Sequence, residues 1–302
     1  ELTEKNGDYA ADVTIPFTSW KGLESSFKFG GSHAWRKRDF VQRQFEYQIP
    51  SDGVTITYDG DSADFFSEKN MGLVDSTGTG SGKRYLFGLT LLELKYPSSR
   101  YDGSQDVSAG YSMIDLALTG RLRLITGARY EKTNLEVSNP EVTGKIDTDD
   151  VLPSVNLVYK VKESMNLRGA FSRTLARPTI REMAPYATYD FGAGAFVVGN
   201  PDLKRTLISN YDIRWEWFTS PGDVYSVSLF YKDFIDPIER VIVDYDGETT
   251  FENVDKAMVM GLELEARQSL GIISPVLGGF QAGGNITFVR SEVDIPEKEM
   301  VY

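Results

Sequence analysis

The sequence predicts an all-β protein, an antiparallel up-and-down transmembrane β-barrel, present here as a partial barrel of about ten strands. Three observations predict it. Apolar and polar residues alternate with a period of two in one segment after another. Short and long connections alternate between those segments. Charged side chains keep to one parity of the strands.

The stretch RLRLITGARYEKTNLEV, from Arg121 to Val137, shows the pattern most clearly. Leu122, Leu124, Ala128 and Tyr130 share one parity; Arg121, Arg123, Arg129, Glu131 and Thr133 share the other. A strand sends these sets to opposite faces, whereas a helix would turn Leu122 and Leu124 about 200° apart. After Tyr130 the apolar parity becomes Lys132, Asn134 and Glu136. The apolar face therefore lasts for roughly 9 residues, close to the 9–11 that a tilted strand needs to cross a bilayer.

Nine further segments repeat this alternation, in chain order. The first carries Val13, Ile15 and Phe17. The second starts at Phe27 and Phe29 and is expected to run on toward Tyr47. Ile114, Leu116 and Leu118 precede the Arg121 strand; Val155, Leu157 and Tyr159 follow it. Then come Met165, Leu167 and Phe171; Tyr211, Ile213, Trp215 and Trp217; and Tyr225, Val227, Leu229 and Tyr231. Met258, Met260, Leu262 and Leu264 form the ninth segment, and Phe280, Ile286 and Phe288 the tenth. Short turns are expected at SWKGLES, at Thr119–Gly120, at KES and at TSPGD, with long connections over 48–107, 138–150, 177–206 and 237–256. Outer-membrane barrels gather short turns at the periplasmic edge and long loops outside. Arg168, Arg214, Glu216, Glu263 and Glu265 all sit on the parity that a wet lumen tolerates. Tyr130, Tyr159, Tyr211, Trp215, Trp217, Tyr225 and Tyr231 sit on the apolar parity near strand ends, as interfacial aromatic belts do.

Composition agrees. The 302 residues carry a net charge of −12, which argues against nucleic acid as a partner. No run of 18 apolar residues is present, so no transmembrane helix is expected; a barrel needs none. Cysteine is absent, which excludes disulfides, thiolate metal sites and thiol nucleophiles.

Four stretches resemble the barrel domain of TonB-dependent outer-membrane receptors: YDGSQDVSAGYSMIDLALTGRLRLITGARYEKTNLEV, LPSVNLVYKVKESMNLRGAFSRTLARPTIREMAPY, GNPDLKRTLISNYDIRWEWF and ENVDKAMVMGLELEARQSL. They occur in the family's order and cover most of the chain from Phe27 to Ser291. The resemblance implies a 22-stranded barrel in the bacterial outer membrane, surrounded by its lipid, with an N-terminal plug in the lumen. It implies energy-coupled uptake of a scarce small-molecule or oligosaccharide ligand, of the iron-chelate, cobalamin or oligosaccharide class. The energy would come from a periplasm-spanning coupling protein that acts on the plug. Residues 1–302 read as part of one barrel domain with no plug, a piece of a longer protein. A passive porin-like or adhesive outer-membrane barrel and a soluble all-β binding module are the alternatives.

No enzyme is expected, because no nucleophile–base set stands out. His33 is the only histidine, so His-based triads and multi-histidine metal sites are not expected. STGTGSGKRY fails as a phosphate loop: Thr77 replaces the first glycine, and Arg84 follows Lys83. The acidic runs Asp59–Asp64 and Asp147–Asp150 lack full calcium-loop spacing and read as solvated loops. No catalytic, cofactor or metal residues are assigned. The best ligand candidate is the connection 177–206, with Arg181, Tyr186, Tyr189, Phe191 and Phe196. Its aromatics can stack on sugar or chelate rings and its arginine can meet an anion. Equally, these side chains can pack the loop onto its own rim.

Overall fold

The computed structural model describes residues 1–294 apart from 21, 50–53, 95–98, 191, 193 and 244–246. In chain order, β1 (Leu2–Thr18) and β2 (Glu24–Val41) are followed by four short strands. These are β3 (Gln44–Gln48), β4 (Leu73–Thr77), β5 (Arg84–Phe87) and β6 (Thr90–Leu94), with a one-turn helix α1 (Ser62–Phe65) among them. Next come β7 (Arg100–Ala117), β8 (Leu122–Ser138), β9 (Thr143–Lys162) and β10 (Met165–Ala176). A helix α2 (Ile180–Met183), β11 (Ala187–Asp190) and β12 (Ala195–Val198) lead to β13 (Thr206–Trp217) and β14 (Val224–Ile235). The chain continues through β15 (Ile238–Ile242), β16 (Thr249–Asn253), β17 (Lys256–Ser269) and β18 (Gln281–Asp294).

Ten of these strands form one sheet, in the order β1-β2-β7-β8-β9-β10-β13-β14-β17-β18. Each is antiparallel to its neighbours, so the sheet is an up-and-down meander that matches the ten alternating segments. β1 and β18 are its edges, so the barrel is not closed within this chain. The protein exposes 19476 Å², against roughly 12,700 Å² for a compact soluble monomer of this mass. The excess arises because the sheet is open: both faces of the edge strands β1 and β18 are exposed, and one whole face is uncovered along the central strands as well.

That face is the apolar parity. Leu124 stands opposite Leu157, Leu167 opposite Trp215, and Leu229 opposite Leu262. Ile213 is 57% exposed and Leu229 54%, although both lie in central strands. Aromatics bound the band at both ends. Trp217 pairs with Tyr225 near the short-turn edge (centroids 5.8 Å apart) and Tyr211 with Tyr231 near the long-loop edge (6.1 Å). The opposite face is a lattice of ion pairs. Arg168 reaches Glu216 at 2.8 Å, Arg214 links Glu216 and Glu265 at 2.9 Å each, and Arg123 grips Asp115 through two bonds of 2.6 and 2.7 Å. Charges paired in this way suit a wet lumen.

The turns follow from their residues. In TSPGD, Pro221 and Gly222 build a tight turn closed by the Asp223 amide on the Ser220 carbonyl (3.0 Å); Gly222 takes φ +91°, which favours glycine. Asp223 then accepts from the Ser269 amide and from Gln268 Nε2, both at 2.7 Å, tying two turns of the same edge together.

Several boundaries differ from the sequence reading. β2 ends at Val41, and Gln44–Gln48 leaves the main sheet to pair with β6. The first long connection spans 42–99, because β7 begins at Arg100 instead of beyond Val107. The expected long connection 138–150 is a tight turn. Asn139 Oδ1 accepts from the amides of Glu141 (2.9 Å) and Val142 (2.7 Å), and β9 starts at Thr143. Polar residues hid these strand ends: Asp147 and Asp149 alternate with Ile146 and Asp150 on two faces, so this acidic run is strand, and its carboxylates do not converge. Strict alternation of connection lengths therefore fails at 139–142.

Candidate functional site: the rim above the apolar band

Above Tyr130 the apolar face of the strands changes sides. The β8–β9 register runs without a shift from Leu122–Tyr159 to Ser138–Thr143, so no bulge makes the change. The sequence makes it. Lys132, Asn134 and Glu136 continue the outer parity, while Leu135 and Val137 on the inner parity are fully buried. They pack with Tyr101 and Ile146 of the adjacent strands and with Ile180, Met183, Ala184, Tyr186 and Leu203 of the connection 177–205.

The connection is shaped to fit this patch. Pro178 and Thr179 open α2, and Thr179 and Glu182 form a capping box (Glu182 amide to Thr179 Oγ1 3.2 Å, Thr179 amide to Glu182 Oε2 2.7 Å). This single turn lays Ile180 and Met183 onto the wall. Glycines admit it: a Cβ at Gly103 would lie 2.4 Å from Ile180 Cγ2, and one at Gly144 2.4 Å from the Pro201 carbonyl. In the NPDL stretch Asn200 Oδ1 accepts from the Asp202 amide at 2.9 Å, turning the chain so that Leu203 enters the core.

Charge fixes both ends. Arg177 donates to Thr133 Oγ1 at 2.8 Å and to Glu131, which also accepts from Arg129. Arg205 holds both oxygens of Asp150 at 2.7 Å.

The connections 177–205 and 236–255 are joined. Their short strands form one sheet, β11-β12-β16-β15, and Asn253 exchanges bonds with the Lys204 backbone (2.7 and 3.1 Å). Asn200 Nδ2 donates to the Phe251 carbonyl at 2.8 Å.

The expected ligand residues fall into two groups here. Arg181 and Tyr186 lie inside the rim. Arg181 donates to the Tyr186 carbonyl (3.2 Å), Thr188 Oγ1 (2.6 Å) and the Val197 carbonyl (3.0 Å), and its guanidinium sits over the Tyr186 ring. Tyr186 packs on Phe40 and Tyr101. Burial lowers the Arg181 pKa and raises that of the Tyr186 phenol from its ordinary value. Tyr189 and Phe196 stand opposite each other across β11 and β12, edge to face at 5.1 Å, and are 41% and 49% exposed. Phe191 lies outside the described residues. Arg240 of β15 adds a cation near Asp190 (3.4 Å) and donates to Thr249 Oγ1 at 2.9 Å. The sequence reading did not single out Arg177, Arg205, Arg240 or Phe40. The usable signal was the inner-parity pair Leu135 and Val137, which has no reason to be apolar unless something covers it.

This arrangement offers a loop sheet with exposed aromatics on one face, the Arg240–Asp190 ion pair on the other and a rigid buried root. Residues 3–300 match the family model described as TonB dependent receptor-like, beta-barrel. The iron-regulated outer membrane virulence protein of Vibrio cholerae serotype O1 is 26% identical over 211 residues, covering 65% of this chain and 29% of that protein. The ferric enterobactin receptor of Pseudomonas aeruginosa is 25% identical over 162 residues, 47% of this chain and 21% of that protein. Among solved structures, a variant of that Pseudomonas receptor in complex with enterobactin superposes with a TM-score of 0.59 at 21% identity, over 95% of this chain and 36% of that one. The alcaligin outer membrane receptor of Bordetella pertussis gives 0.57 at 12%, over 97% and 40%. The chain thus spans under a third of the length of these curated relatives.

Proposed function

Because this chain belongs to the TonB-dependent receptor-like β-barrel family, a non-enzymatic transport family of the Gram-negative outer membrane, we propose that it forms part of the barrel of a receptor for iron chelates. In this reading the face carrying Tyr189 and Phe196 meets the ligand. Its root at Leu135, Val137 and Met183 holds that face still. The observation that carries the reading is the exposed edge-to-face pair Tyr189–Phe196, mounted on a loop sheet anchored to the strands. Exposed flat aromatic surface suits a chelate with ring-bearing arms. Iron in that chelate is cargo. The two relatives are named for iron regulation and for ferric enterobactin, which favours an iron chelate over cobalamin or an oligosaccharide. Transport itself would require the rest of the barrel, a plug in its lumen and a periplasm-spanning coupling protein.

Uptake of labelled iron by iron-starved cells carrying the full-length receptor tests this reading. The Tyr189→Ala/Phe196→Ala receptor should bind and import a ferric catecholate at least roughly tenfold less well, a loss of about 1.4 kcal/mol or more, at unchanged outer-membrane abundance. Normal uptake by that variant would remove these residues from the site; growth on cobalamin or oligosaccharide without iron transport would remove the ligand class.

A further inference from the structure

The outer surface of β1 and β2 carries an arrangement unrelated to the rim. Outward positions of β1 run Phe17, Ile15, Val13, Ala11, Tyr9, Gly7 and reach their first charge at Lys5. On β2 the outward run from Phe27 ends the same way, at Lys37. Lys5 and Lys37 stand directly opposite each other, both exposed. Like charges in that position destabilise a sheet. On the inner face at the same height, Glu4 is matched by Arg38 and Arg36. Among the described residues, no carboxylate lies within ion-pair distance of either lysine; the next outward pair above them is Asp39 and Asp102.

Two features lie below the lysines. The Trp35 indole lies flat across Gly7, where a Cβ would come within 2.9 Å of its Nε1. Lower still, Ala11, Gly31 and Gly110 form one row across three strands and floor a groove of about 670 Å³, walled by Tyr9, His33 and Tyr130, with Lys132 at its β8 end. From Gly31 to Lys37 the strand climbs about 20 Å, which at a 45° tilt is about 14 Å of depth, the hydrocarbon of one leaflet.

The order from groove to indole to paired ammonium groups is the order of a lipid: acyl chain, interface, phosphate. We propose that Lys5, Lys37 and Trp35 hold a phosphorylated lipid of the outer leaflet, with one acyl chain in the Ala11–Gly31–Gly110 groove. The groove is continuous with the apolar band that already faces lipid. The lipid phosphate resolves the repulsion between the lysines, which it meets below the acidic pair Asp39 and Asp102; Asp106, outward and opposite Trp35, lies 3.7 Å from His33 Nε2.

The test is thermal unfolding of the delipidated full-length receptor in detergent, titrated with bis-phosphorylated lipid A. Dephosphorylated lipid A and inorganic phosphate form separate arms. The phosphorylated lipid should raise the midpoint of the wild-type and Lys5→Arg/Lys37→Arg receptors, and inorganic phosphate should leave it unchanged. The Lys5→Gln/Lys37→Gln receptor should need roughly tenfold to thirtyfold more lipid, the scale of two lysines at an anionic surface. The Trp35→Leu receptor, with both lysines intact, should also bind more weakly. Equal lipid affinity in the wild-type, glutamine and leucine receptors overturns the proposal, as does a midpoint shift produced by inorganic phosphate alone.

Discussion

Glu131 and Asp150 stand directly opposite each other in the β8–β9 ladder, both on the inner face and both buried. Two carboxylates so placed repel. The arginines at the two ends of one connection separate them: Arg177 takes Glu131 and Arg205 takes Asp150. The 177–205 connection is thus pinned at adjacent points of the wall by opposite charge.

Breaking one pin should loosen the rim and spare the barrel. The Arg205→Gln receptor leaves Asp150 buried beside Glu131 without its partner, at a cost of about 1–3 kcal/mol. Limited proteolysis of the full-length protein should then nick residues 185–200 faster, and adding Asp150→Asn should restore part of the protection. Unchanged nicking in Arg205→Gln would show that the apolar root alone holds the connection.

Neighbouring residues of β8 should respond oppositely to substitution. Leu124 faces outward against Leu157, so Leu124→Arg should cost about 2–4 kcal/mol in the bilayer. Arg123 faces inward and is exposed, so Arg123→Leu should lose only its pair with Asp115. Folding yields in lipid vesicles measure both; similar yields would contradict the assignment of faces.

Alkali should open the rim through Tyr186. Burial raises its phenol pKa above that of the unfolded chain. The folded state therefore holds this proton longer. Its contribution is complete below about pH 10, the unfolded value, and is lost as pH rises through the raised folded value. The absorbance titration of wild type minus Tyr186→Phe should show one late phenolate, and protease sensitivity of 185–200 should rise with it in the wild type. A tyrosine that titrates with the exposed ones would refute this.

The isolated 302-residue chain should not be a soluble monomer. Its outer face exposes Leu157, Leu167, Ile213, Leu229 and Phe288 over several strands, far more than the few hundred Å² typical of soluble proteins. Size exclusion with light scattering in detergent-free buffer should find aggregates; a monodisperse, cooperatively melting monomer would mean that this face packs internally.

The ten strands and their neighbours were legible because each carries an apolar parity, and that signal is local. Strand ends were not. Residues 100–107 and 143–150 are strand as well, but every outer position is polar, and inside Tyr101, Val107 and Ile146 are interspersed with Gly103, Gln105, Gly144, Thr148 and Asp150, so they read as loop. The rim escaped for a different reason. Leu135 meets Ile180 and Leu203, 45 and more residues away, and nothing near it in sequence announces a cover. Arg181 reads as a free cation until the fold brings the Val197 carbonyl and Thr188 to it.

The unbroken β8–β9 register, with its change of apolar side at Tyr130, imposes an arithmetic on how this protein can vary. A strand that must show lipid one face below and a loop the other face above has a phase as well as a length. Lengthening the hairpin by one residue per strand at the crossing would turn Leu135, Val137 and Ile146 out to water and bring Lys132 and Glu136 in against Met183. Lengthening it by two would add about 7 Å along the strand, about 5 Å of height at a 45° tilt, and leave every side chain on its proper side. The height of the mouth above the membrane is therefore adjustable in steps of two residues, and forbidden in between.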